Sequence, residues 1–113
     1  MKLTVPVQDL LDGLRKVLSV VSSRSTIPIL SNVLLTADEG SLSLTTTDLE
    51  VSIRTNMTAM VEEQGETTLP AKTLGQIVSS LPNGDVLLQT DENRTTTIDC
   101  NRAHFSIMGM NPS

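Results

Sequence analysis

Aromatic side chains are almost missing from this chain: one Phe, no Trp and no Tyr in 113 residues. Proteins that grip unpaired bases do so by stacking them on several such rings, so that mode of binding is excluded. There is one cysteine, Cys100, so no internal disulfide can form, which fits a reducing, cytoplasmic setting. There is one histidine, His104. A zinc centre needs three or four ligands, and these two residues are the only soft or nitrogen donors. Cations are also scarce, with 8 Lys and Arg against 13 Asp and Glu, a net charge of −5 and a pI of about 4.6. That balance lacks the basic footprint of a tight nucleic-acid binder. No apolar run approaches the ~20 residues of a membrane span. Asp9 and Asp12 interrupt any signal-peptide core. No glycine-rich phosphate cradle is present, so no cofactor is expected.

What is present is an aliphatic core pattern, enough for one domain over residues 1–113. Val7, Leu10, Leu11, Leu14, Val17, Leu18 and Val21 recur at helical spacing and form one stripe. Pro6 stands just ahead of it, Asp9 and Asp12 lie early in it, and Arg15 and Lys16 follow, as the helix dipole favours. A second helix is predicted from about Ala71 to Leu81, opened by Pro70 and closed by Pro82-Asn83-Gly84. Elsewhere the period is two. Leu42 and Leu44 alternate with Ser and Thr, and Leu49, Val51 and Ile53 alternate with Glu50, Ser52 and Arg54. Residues 86–89, 95–100 and 103–108 predict a further meander, with turns at Asp38-Glu39-Gly40, Thr47-Asp48, Asp91-Glu92-Asn93 and Asn101-Arg102.

The chain also repeats itself. A shift of 64 residues aligns Thr4 with Thr68, Pro6 with Pro70, Leu10 with Leu74, Leu14 with Val78, and Val17 with Leu81. Each copy reads as a strand, a helix, then three antiparallel strands. The implied fold is α+β, with two such units and both helices on one side of antiparallel sheets.

Catalytic readings are weak. Cys100 and His104 flank a turn, but no third orienting group or oxyanion site is legible. Cys100 reads as a buried small hydrophobe and His104 as an exposed strand residue. Glu62, Glu63, Glu66, Asp91 and Glu92 lack the spacing of a calcium loop and read as solvated. The cations are more informative by position. Lys16 lies opposite the first helix's apolar stripe, where its ordinary use would be a pair with Asp12. Lys72 falls in the first turn of the second helix, where a cation opposes the dipole. Arg24 sits in a Ser-rich loop with no acidic neighbour. Phe105 and Ile107 alternate on the last strand and face either the core or a partner.

Five segments occur in order: Met1-Lys2-Leu3-Thr4-Val5, Ser22 to Leu30 with Arg24 and Pro28, Ser41 to Glu50, Leu69-Pro70-Ala71-Lys72, and His104-Phe105-Ser106-Ile107. On these, residues 1 to about 107 resemble the N-terminal domain of the bacterial DNA polymerase III beta subunit, the sliding clamp family. The resemblance implies the DNA-clamp fold and a processivity factor in DNA replication, with no enzymatic activity of its own. It implies a head-to-tail homodimer ring around double-stranded DNA, with three domains per chain. The second and third of these are not matched here. Polymerase and clamp loader would engage through them. It marks Arg24 as a duplex-DNA contact, with Lys16 and Lys72 as further candidates, and Phe105 and Ile107 as a protomer interface. Thr73 and Gly75 depart from the larger or charged residues frequent in the family, and Gly75 costs its helix about 1 kcal/mol relative to Ala. An alternative is an acidic, non-DNA interaction module that uses an exposed sheet edge. A weaker one is an enzyme subunit whose active site lies elsewhere.

Overall fold

The structure, a computed structural model, describes residues 1–19, 32–47 and 52–109. Arg24, Val21 and the Asp48-Leu49-Glu50-Val51 corner lie outside the described residues.

Strand β1 (Lys2–Pro6) leads into helix α1 (Val7–Leu18). Pro6 is the N-cap, with φ −60° and ψ 138°, so its fixed φ sets the entry angle and its missing N–H is harmless. The first helical amide, Val7 N–H, donates to Gly84 O at 2.9 Å. The predicted stripe is buried: Val7, Leu10, Leu14 and Val17 face the core, and Leu11 and Leu18 are half-buried. Strands β2 (Asn32–Asp38), β3 (Ser41–Thr47) and β4 (Ser52–Thr58) follow. The short β5 (Met60–Glu63) then leads to β6 (Gly65–Pro70). Helix α2 (Ala71–Ser80) begins after Pro70, again as N-cap, and β7 (Asp85–Thr90), β8 (Thr95–Cys100) and β9 (Ala103–Met108) complete the chain.

The repeat is visible as the two expected strand-helix-three-strand units. Each half gives its first strand to the other half's sheet. β1 pairs with β7 in the five-stranded order β5-β1-β7-β8-β9, and β6 pairs with β2 in the four-stranded order β4-β3-β2-β6. Both sheets are antiparallel throughout. β5 has no counterpart in the other half; it extends the first sheet by pairing with β1.

The helices pack against each other, with α1 lying across β3 and β4 and α2 against β2 and β6. One aliphatic core joins both sheets to both helices, with Leu3, Leu10, Leu14, Leu35, Leu44, Leu74, Leu88 and Ile98 all fully buried. Thr46 Oγ1 donates to Val17 O at 2.5 Å, tying the end of α1 to β3. The turn after β2 uses Gly40 at φ +69°, a value that glycine reaches without strain. The Asp91 turn is held by its own carboxylate, whose Oδ1 accepts from the amides of Asn93 and Thr95, both at 2.9 Å.

Candidate nucleic-acid interface

The surface made by α1 and α2 collects exposed cations. Lys16 and Lys72 are exposed and make no side-chain ion pair with a described residue. The expected Lys16–Asp12 pair is replaced by others. Asp12 Oδ1 accepts from Gln8 Nε2 at 2.9 Å and stands 3.9 Å from Arg15 Nη1. That ion pair is long and exposed, and pairs of that kind contribute about 0–1 kcal/mol. Arg15 therefore remains available to a ligand. Lys72 opposes the dipole of α2 without an acidic residue in the first turn to offset it.

Between the helices runs a groove of about 460 Å³. Leu11, Leu14 and Leu18 form its apolar lining, Gly75 its floor on α2, and Arg15 and Lys72 are its cations. Arg15 is the residue that sequence reasoning passed over. Its one signal was the spacing of four from Leu11, which puts it on the flank of the apolar stripe beside α2.

Two other described cations are engaged elsewhere. Lys2 Nζ lies 3.4 Å from Glu62 Oε2, and Arg54 Nη2 donates to Ser43 Oγ at 3.2 Å. Of the eleven described carboxylates only Asp9 and Asp12 lie on the two helices. The other described carboxylates lie on strands and turns.

The remaining candidates fall apart chemically. Cys100 is buried at 1% exposure and its Sγ donates to Pro82 O at 3.4 Å. His104 is exposed and its Nδ1 meets Asp99 Oδ1 across β8 and β9. Asp99 and Cys100 are neighbours on one strand, so their side chains point to opposite faces. The histidine shares the aspartate's face and cannot serve the thiol as a base. Among the described residues no group of three or more His, Cys, Asp or Glu could hold a metal. No described helix is long and apolar enough to cross a membrane.

Strand β9 is an edge of the five-stranded sheet. Ile107 is only 7% exposed and belongs to the domain's own core, and Phe105 is half-buried against it. The outward face of β9 carries His104, Ser106 and Met108 instead.

The family model for the N-terminal domain of the DNA polymerase III beta subunit matches residues 1–113. The beta sliding clamp of Synechocystis sp. is 44% identical over 97% of this chain, which covers 30% of that relative. The crystal structure of the DNA polymerase sliding clamp from Caulobacter crescentus is 40% identical and superposes with a TM-score of 0.94 over 99% of this chain and 31% of that one. The Bacillus subtilis sliding clamp superposes at 0.95 with 29% identity, over 98% of this chain and 31% of that one. The chain thus spans about 30% of the relatives it matches. These matches favour the clamp fold over the acidic interaction module. By sequence and by structure alike, the chain belongs to the DNA polymerase III beta subunit family, through its N-terminal domain.

Proposed function

We propose that this chain serves as one domain of a ring that encircles duplex DNA, tethers the replicative polymerase, and catalyses nothing itself. The observation that carries this reading is the charge segregation on the helix pair. Arg15, Lys16 and Lys72 project from α1 and α2, while nine of the eleven described carboxylates lie off the helices. A topological tether needs no strong net attraction. A mildly cationic lining lets the ring slide, since phosphate contacts carry no sequence information. The gain is in effective concentration of the polymerase at the primer end.

Arg24, outside the described residues, is assigned to the same duplex contact by its motif alone. In a chain carrying all three clamp domains, the homodimer would form between protomers, and the polymerase and clamp loader would engage through the other two domains. Protomer contact at β9 would use its backbone edge, its outward side chains and the half-buried Phe105, with Ile107 beneath it. The setting is the cytoplasm.

A single domain cannot close around DNA, so its own affinity belongs in the non-specific range, roughly 10⁻⁴ M, and falls with salt. The test is an NMR titration of the isotopically labelled chain with a duplex at low salt. Amide shifts at Arg15, Lys16, Arg24 and Lys72 are expected. Shifts confined to the acidic strands, with both helices silent, would overturn the reading.

A further inference from the structure

A second hollow lies away from the helix groove, where β5 leaves β1. It measures about 300 Å³ and is lined by Thr4, Pro6, Ala59 and Met60, with Asp9 and Asp85 among its walls. Two independent features set it apart. Met60 is 76% exposed, the most exposed large apolar side chain among the described residues. Asp9 and Asp85 are both exposed and neither makes an ion pair with a described residue. The backbone explains the hollow. β5 pairs with β1 only as far as Thr4, opposite Met60, while β1 runs on to Pro6 beside Asp85 on β7. Ala59 turns away toward the other sheet, its N–H donating to Gly40 O at 3.1 Å.

We infer that this hollow docks a short peptide segment of a partner protein, an apolar side chain followed by Lys or Arg. The apolar residue covers Met60 and Pro6, and the cation lies between the two carboxylates. The cation alone would not suffice. The positive end of α1 stands close to Asp9 and offsets part of its charge. Both features are therefore needed, which makes the site selective for the combination.

The probes are three synthetic peptides titrated into the labelled chain: Leu with Arg, Leu with Glu, and Gly with Arg. The Leu-Arg peptide is expected to shift Thr58, Ala59, Met60 and Asp85, and the other two to leave them unmoved. Asp85→Asn should weaken that binding by about threefold, as loss of an exposed charge pair does. Met60→Ser should weaken it too, with both variants folded by their unchanged spectra elsewhere. Equal response to the Leu-Glu peptide, indifference to both substitutions, or shifts scattered over the surface would each overturn the inference. So would concentration-dependent shifts at these residues without peptide, which would assign the hollow to a second copy of the chain.

Discussion

The Cδ1 of Leu18 lies 3.1 Å from where a β-carbon on Gly75 would stand. Helix α2 thus lets α1 approach closely at its one residue without a side chain.

Three glycine substitutions should rank by what their new methyl meets. At Gly75 the neighbour is the tip of a half-buried leucine beside an open groove, so Gly75→Ala should be neutral or stabilise by up to about 1 kcal/mol through helix propensity. At Gly13 the methyl would stand 2.5 Å from Met57 Cε and 3.2 Å from the buried Leu44, so Gly13→Ala should cost about 1 kcal/mol. At Gly109 it would meet Thr67 Oγ1 at 2.7 Å and the Thr68 carbonyl at 2.9 Å. Backbone cannot swing aside, so Gly109→Ala should cost the most, about 2–3 kcal/mol. Urea denaturation of the three variants checks the order.

Lys72→Ala should weaken duplex binding for every sequence alike. The slope of log K against log salt should fall by about 0.9, the share of one phosphate contact. Fluorescence anisotropy across a salt series measures it. An unchanged slope would remove Lys72 from the contact surface.

The edge strand separates two effects. Ile107→Lys buries a charge in the core and should unfold the domain. Ser106→Lys, on the outward face, should leave it folded and reduce any self-association through an unpaired edge. Analytical ultracentrifugation with circular dichroism tells the two apart.

Cys100→Ala should cost about 1 kcal/mol, the scale of a small buried group and a weak donor, and should leave DNA binding untouched. Thermal melts beside the duplex titration suffice. No hydrolase or nuclease activity should appear in either protein. An activity lost on substitution would show chemistry at Cys100.

The helices were legible because their cause is local. Pro6 and Pro70 fix the starts, and the stripe from Val7 to Val17 reads directly as the buried face. The repeat was legible for the same reason, since Leu10 and Leu74 occupy equivalent turns. Strand partners were not. Period two says which residues share a face but not which strand lies alongside, so the exchange of β1 and β6 had no signal. Nor could alternation decide how far Phe105 and Ile107 turned inward; in the structure Ile107 is buried and Phe105 half-buried. Lys16 and Asp12 had the right spacing to pair, yet Gln8 and Arg15 took the carboxylate. Arg15 itself was hidden because the groove it flanks exists only once two helices meet.

The exchanged strands give the domain an all-or-nothing character. Lys2 pairs with Gln89, and Pro70 with Asn32, so each sheet is completed by chain from the opposite half. Neither half owns a finished sheet, and neither should persist alone. Bringing residues 2–6 beside residues 85–90 closes a loop that spans most of the chain, and such distant pairing slows folding. A chain severed at Gln64, between β5 and β6, would yield two fragments, each missing a strand that only the other carries. They should be disordered apart and regain structure on mixing, with a concentration dependence that an intact chain does not show.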